Sequence, residues 1–300
     1  AAELTRQISY NPDLCDVAFG EATLPPVSLK QTDLKPSYTV QTALASYVYY
    51  NFFVHSWSPD KVLELLKAQA ETAFRNALET FRVRYRRYGE VSSRPGREIS
   101  WEPRVYTYDE MDRLLKEAHG EDYVQHMKAF KAALEEDESL DSRMLAARVV
   151  EEAWKFMPDK RPALIVFYSS LYSPRVALMG ERENERRLLD ALDDAIEAVQ
   201  PEYGHPIVAK NFFPHISDMS FVAMSDDMSE IDDMVANTPS WGRKLYVDYQ
   251  DVADLNIPVV NIGPYGEDGH KRLERMEMTY SLEVVPNLTN RVLRGVLESE

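Results

Sequence analysis

The sequence predicts a mixed chain of two domains, α+β in its first half and α/β in its second. Three observations carry that prediction. Its 300 residues are about twice a usual domain length. After about residue 160, short apolar runs alternate with helical patterns, which is the mark of an α/β layer on a mostly parallel sheet. Before that point a long amphipathic helix stands among strand-like segments. The boundary falls in the loop 169–174, giving domains 1–172 and 173–300.

The elements follow in order. Leu4 and Ile8 share a helical face that Asn11-Pro12 stops. A loop with Pro25-Pro26 comes next. Residues 38–54 are rich in Tyr, Val, Phe and Thr and read as buried strand. Ser58 and Pro59 suit the N-cap and first position of a helix. Val62, Leu66, Ala70, Ala73, Ala77 and Phe81 then recur at helical spacing. A basic turn of Arg82, Arg84, Arg86 and Arg87 suits the negative helix end. A strand is expected over 103–107. Thr107 and Glu110 form a capping-box pattern. Helices over 108–135 and 141–157 flank an acidic, solvated turn at 135–138. Strands are then expected at 163–168, 206–209 and 257–262, with helices over 183–200 and 282–297.

Composition narrows the function. The net charge is −16, from 34 Lys+Arg and 50 Asp+Glu. Such a balance argues against a broad surface for nucleic acid or an anionic membrane. With 44% hydrophobic and 28% charged residues, the composition is that of a folded chain. The longest apolar runs fall short of the roughly 20 residues of a membrane span. No export signal is legible. One cysteine, Cys15, excludes an internal disulfide and points to a reducing, cytoplasmic setting. A buried structural thiol is the ordinary role for it.

Two segments could carry chemistry. Residues 257–270 read as a buried strand running into a loop with Gly263, Gly266 and Gly269, then His270. Ligands of open α/β sheets bind beyond the carboxyl ends of strands. Glu274 lies one helical turn past His270 if a helix starts there. A neutral imidazole in such a loop can bind zinc, with a nearby carboxylate to orient it. A solitary loop histidine is ordinarily just solvated, because a metal site needs three or four ligands. The second segment holds His215, Ser217 and Asp218, whose ordinary role is a capped turn. No G-x-S-x-G elbow surrounds Ser217. His119 and His126 read as solvated. No phosphate loop, C-x-x-C or H-E-x-x-H occurs.

These same segments carry a resemblance. The runs 213–219, 257–266 and 269–275 resemble the C-terminal third of the zinc-dependent aminoacylase and carboxypeptidase G-like metallopeptidases. In that family a G-G-T-D-A-type stretch stands where His215, Ile216, Ser217, Asp218 and Met219 stand here. An A-H-x-x-x-E motif stands where Gly269, His270 and Glu274 fall. Further segments resemble the family's arginine-utilisation branch. They are Pro12 to Asp16, Leu29 to Leu34, His55-Ser56-Trp57-Ser58-Pro59 and Val284-Val285-Pro286.

The resemblance implies a catalytic α/β domain interrupted by an α+β lid that also forms dimers. Residues 1–172 would be the lid, enlarged by helices, and 173–300 the closing part of the catalytic domain. The family's centre holds two zinc ions that activate a water and polarise an amide. His270 matches a metal ligand. Asp218 and Ser217 fall beside the site in a supporting or substrate role, and Glu274 supports the histidine loop. The family's H-x-D motif, bridging Asp and Glu-Glu pair have no counterpart in these 300 residues. A C-terminal fragment, inactive alone, is therefore expected, and no catalytic base is assigned. The implied substrate is a small peptide or N-acyl amino acid, and the implied partner a second copy of the chain. The alternative is a non-catalytic dimerisation or interaction module without specific zinc binding.

Overall fold

Helix formation is most strongly written at Ser58-Pro59, and there the chain runs into a 34-residue helix, Pro59–Ser92. The computed structural model describes residues 1–35, 37–38, 40–94, 96, 98–213, 218–269 and 271–298. Two units are distinguished. Unit 1 joins Ala1–Tyr172 to Asp226–Asp248, and unit 2 joins Ser173–Ser225 to Tyr249–Glu300.

In chain order the helices are α1 (Ala2–Ile8), α2 (Pro59–Ser92), α3 (Tyr108–Glu135) and α4 (Ser142–Trp154). They continue with α5 (Glu183–Val199), α6 (Met228–Ala236), α7 (Tyr249–Leu255) and α8 (Val285–Glu298). The strands are β1 (Val17–Ala18), β2 (Glu21–Ala22), β3 (Val27–Asp33) and β4 (Ser46–Asn51). After them come β5 (Val105–Thr107), β6 (Leu164–Val166), β7 (Gly266–Glu267) and β8 (Arg275–Met276). Helices and small sheets coexist, as the mixed reading requires.

The sheets are smaller than the sequence led us to expect. Each one described has two strands, and β5–β6 is the parallel pair among them. The expected strand at 257–262 is irregular, with Ile257 and Asn261 exposed. The one expected at 206–209 is irregular as well. Pro258 and Pro206 each remove a ladder donor. Apolar, β-branched composition makes a strand only where a partner lies alongside. Here Ile257 finds a single backbone bond, to the Val222 carbonyl at 2.9 Å.

In unit 1, β3 and β4 pair antiparallel from Val27↔Asn51 to Asp33↔Ser46, with an irregularity between Ser28 and Lys30. β3 hides in the sequence because Lys30, Gln31 and Asp33 give it a polar surface. Helix α2 continues past the arginine turn to Ser92.

The expected helix over 108–135 is a helical hairpin. Gly120 has φ +59 and ψ −139, which breaks α3 at a conformation that glycine adopts readily. Tyr123 Oη donates to Asp112 Oδ1 at 2.7 Å, and Lys131 Nζ lies 5.6 Å from the centre of the Tyr108 ring. In a straight helix Tyr108 and Lys131 would stand about 35 Å apart. The two arms therefore fold back on each other. They enclose, with α4, a core in which Met111, Leu115, Leu145 and Val149 are fully buried. The acidic turn after α3 is largely exposed, as expected, but it is also tied down. Arg243 pairs with Glu135 at 2.9 Å, and Lys244 Nζ donates to the carbonyls of Asp137 and Leu140.

Unit 2 is built on α5 and α8. Ala195 and Val199 pack with Val284, Leu288 and Val292. Among the described residues no helix is long and apolar enough to cross a membrane. Helices α5 and α8 approach closely at Gly295, where an added Cβ would lie 2.8 Å from the Ala191 Cβ. Gly295→Ala should gain about 1 kcal/mol of helix propensity but lose about 1–3 kcal/mol to overpacking. The short, rigid neighbour decides the sign, and net destabilisation is expected in urea unfolding. Adding Ala191→Gly should recover part of the loss. A Gly295→Ala variant more stable than the parent would disprove the close approach.

Candidate functional site

The loop that carries the candidate metal ligand begins and ends in a small hairpin of unit 2. Strands β7 and β8 pair Gly266 with Met276 and Glu267 with Arg275. An antiparallel pair this short needs help from its loop. Asp268 adopts a left-handed φ of 56°, and its carbonyl accepts from the Lys271 N–H at 2.9 Å. Glu274 N–H then donates to the Lys271 carbonyl at 3.2 Å. Arg275 ties the two ends together. Its guanidinium donates to Asp268 Oδ2 at 2.7 Å and pairs with Glu267 as well. The loop is thus a charged, solvent-facing turn, and the helix start considered for His270 and Glu274 is absent from residues 271–274.

The predicted site residues are placed as follows. His270, Ser217 and the neighbouring His215 lie outside the described residues. Asp218 opens a short 3-10 turn, Asp218–Phe221, and its side chain is likewise outside the description. Glu274 is exposed in the loop just before β8. Among the described residues, no three His, Cys, Asp or Glu side chains converge in a way that could hold a metal ion. The described residues do not by themselves fit a zinc site.

The anchor just beyond this hairpin leaves no mark in the residue pattern. Glu277 accepts from the Thr279 N–H at 3.2 Å and also from the Tyr280 N–H. It thereby caps a π-helical turn, Tyr280–Val284, that leads into α8. Ser281 Oγ donates to the Tyr265 carbonyl at 3.3 Å, tying that turn to the residue before β7.

Unit 1 contains a second constellation that the sequence left unread. Asp16 is fully buried. Its Oδ2 accepts from the backbone N–H groups of His55, Ser56 and Trp57 at 2.6–2.7 Å. Its Oδ1 accepts from Ser56 Oγ at 2.8 Å. Burial pushes the carboxyl pKa up, yet the three amides and the hydroxyl together pull it below the ordinary aspartate value. The carboxylate therefore fixes the turn that launches α2. Two of the segments that carry the family resemblance, Pro12 to Asp16 and His55 to Pro59, meet through this one side chain. Cys15 beside it is half-buried, and burial raises its thiol pKa.

Other charged groups are engaged locally. His126 Nε2 lies 2.8 Å from Glu152 Oε1, and His119 Nε2 lies 2.9 Å from the Phe156 carbonyl. Both are exposed, as expected, and each also meets one neighbouring group. A depression of about 400 Å³ is lined by Lys67, Tyr106, Glu110, Arg113 and Leu114. Its charges cancel, since Lys67 holds both Glu110 oxygens at 2.6 and 2.7 Å and Arg113 holds Asp109 at 2.8 Å.

Over its whole length the chain is similar to a class of longer Bacillus proteins, and it spans about half the length of these curated relatives. One is Protein RocB of Bacillus subtilis (strain 168), 31% identical over 300 residues, which are 100% of this chain and 52% of that protein. Another is the uncharacterized protein YqjN of the same strain, 27% identical over 297 residues, 99% of this chain and 52% of that one. The chain is RocB-like along its length. No family model matches it, and no solved structure matches it.

Two outcomes follow from this geometry. An added Cβ at Gly266 would lie 2.5 Å from the Arg275 carbonyl oxygen. Gly266→Ala should open the hairpin, and amide exchange at Glu267 and Arg275 should speed up about tenfold or more. Unchanged exchange would contradict the pairing. Asp16→Ala should cost about 3 kcal/mol, because it leaves three backbone donors and a hydroxyl without their shared acceptor. The sign with pH is fixed by the depressed carboxyl. Its contribution is fully present above the ordinary aspartate pKa of about 3.9 and is lost as pH falls through the lower folded value. Urea unfolding between neutral and acidic pH should show this acid loss in the parent and a flatter profile in Asp16→Asn.

Proposed function

We propose that these 300 residues form part of a zinc-dependent hydrolase of amide or peptide bonds, with a role in arginine utilisation. The observation that carries the reading is the similarity to RocB along all 300 residues. The motif of Gly269, His270 and Glu274 supports it, because it falls at a loop that a hairpin closes. In this reading His270 is one metal ligand, Glu274 supports its loop, and Asp218 with Ser217 lies toward the substrate. The remaining ligands come from residues outside these 300. The substrate is a small peptide or N-acyl amino acid, and the working assembly is a dimer. The link to arginine utilisation rests on the resemblance alone.

The test uses a protein of the relatives' full length that contains this sequence. Its metal content is measured by mass spectrometry, and hydrolysis is assayed on a panel of N-acyl amino acids and dipeptides. About two zinc ions per chain are expected. His270→Ala should lower zinc content and reduce kcat/KM by about 100-fold or more. A His270→Ala protein that keeps its zinc and its full rate would sink the assignment. The 300 residues alone should hydrolyse none of the panel, and turnover by them would refute the need for outside ligands.

A further inference from the structure

Strand contact in the β7–β8 hairpin runs one step beyond the strands themselves. Glu277 N–H donates to the Tyr265 carbonyl at 2.9 Å, continuing the register of Gly266 with Met276. Residues opposite each other in an antiparallel pair send their side chains to one face, so Tyr265 and Glu277 stand side by side. Ser281 Oγ donates to the same Tyr265 carbonyl at 3.3 Å, which brings its neighbour Tyr280 to this end of the hairpin. The Tyr280 ring meets the half-buried ring of Tyr203, with centres 5.5 Å apart and planes inclined at 44°. Burial raises the Tyr203 phenol, and the Glu277 carboxylate with the Tyr280 and Tyr265 phenols raises it further, as expected of groups that share one neighbourhood. Within unit 2, three tyrosines thus gather about one carboxylate.

That carboxylate has no counter-charge. Among the described residues Glu277 forms no ion pair. Arg275, two residues earlier, is committed to Glu267 and Asp268. Each Glu277 oxygen accepts one backbone N–H, Oε1 from Thr279 and Oε2 from Tyr280. A carboxylate has about four acceptor positions, so one is left on each oxygen. Two parallel acceptors match the fork of a guanidinium, which also stacks on aromatic faces. The electron-rich faces of tyrosine rings attract a cation as well. An ammonium would use the charge but not the fork. We propose that Tyr203, Tyr265, Tyr280 and Glu277 form a binding site for a small organic cation of the guanidinium class. It lies at the foot of the hairpin whose loop carries His270. The assignment rests on these four side chains and stands apart from the hydrolase reading, since such binding needs neither a metal nor turnover.

The experiment is NMR of the 300-residue chain with isotopically labelled tyrosine rings, titrated with n-butylguanidinium. Tyr203→Phe, Tyr265→Phe and Tyr280→Phe assign the three signals. These should shift and saturate with a Kd of about 1 mM, ordinary for so small a ligand. Tyr123, in the α3 hairpin of unit 1, should not move. The neutral isostere n-butylurea should bind about tenfold more weakly or worse, and n-pentylammonium should fall between the two. Glu277→Gln removes the charge yet keeps an acceptor for the turn, and should weaken butylguanidinium about tenfold. Tyr265→Leu removes an exposed ring and hollows no core, and should weaken it about threefold. The amide spectrum of α8 reports that each variant keeps its fold. No saturable shift at the three rings, or equal affinity for butylurea, would overturn the proposal. An ammonium that binds as tightly as the guanidinium would overturn the class of ligand. Affinity unchanged by both variants would put the cation elsewhere and refute the site.

Discussion

The buried carboxylate of Asp16 is the constraint on which unit 1 is organised. Backbone N–H groups of an irregular turn need an acceptor, and one carboxylate can take several at once. Here the donors are the three residues before Ser58, so the side chain works from a distance in sequence. Asp16 is itself fixed, since its N–H donates to Thr23 Oγ1 and its carbonyl accepts from the Thr23 N–H, both at 2.9 Å. The β1–β2 turn, the start of α2 and everything aligned along that helix share one joint. Such a joint is costly to lose, because its removal exposes unmet donors rather than merely deleting an attraction.

Much of this was legible in the residues, and the failures have a common cause. Ser58-Pro59 and the Thr107–Glu110 capping box placed two helix starts, the first through Pro59 at the opening of the helix and the second through reciprocal cap bonds. The opening helix, the pair at 108–135 and 142–154, and α5 and α8 followed from periodicity alone. What periodicity cannot see is a fold-back. The apolar spacing of α3 runs smoothly through Gly120, and only the left-handed φ there turns one helix into two arms. Strands misled for a related reason. The run at 257–262 has strand composition, but pairing is a property of two segments, and Pro258 removes a donor from one of them. Conversely β3 was invisible because its partner β4, not its own pattern, makes it a strand.

The candidate site was legible as a motif and illegible as a geometry. Gly266 could be picked out as a glycine of the loop, and the structure supplies its reason, a carbonyl of β8 where a side chain would stand. Asp16 could not be found from sequence, since nothing marks a buried aspartate among exposed ones. The resemblance did name both of the segments it joins. Two motif segments with no chemistry of their own meet at a single carboxylate, so in this chain they serve architecture.

The division of the chain has a consequence for how it acquires its structure. Unit 1 is interrupted, because residues 226–248 return to it after the first half of unit 2 has been made. The α3 hairpin and α4 meet through contacts close in sequence, which form rapidly. The α5–α8 packing must instead wait for a segment nearly a hundred residues later, with a piece of the other unit in between. During vectorial synthesis α5 therefore emerges with its apolar face bare, and it stays so until α8 has left the ribosome. The early part of unit 2 is thus a stretch that shielding from solvent would help while α8 is being made.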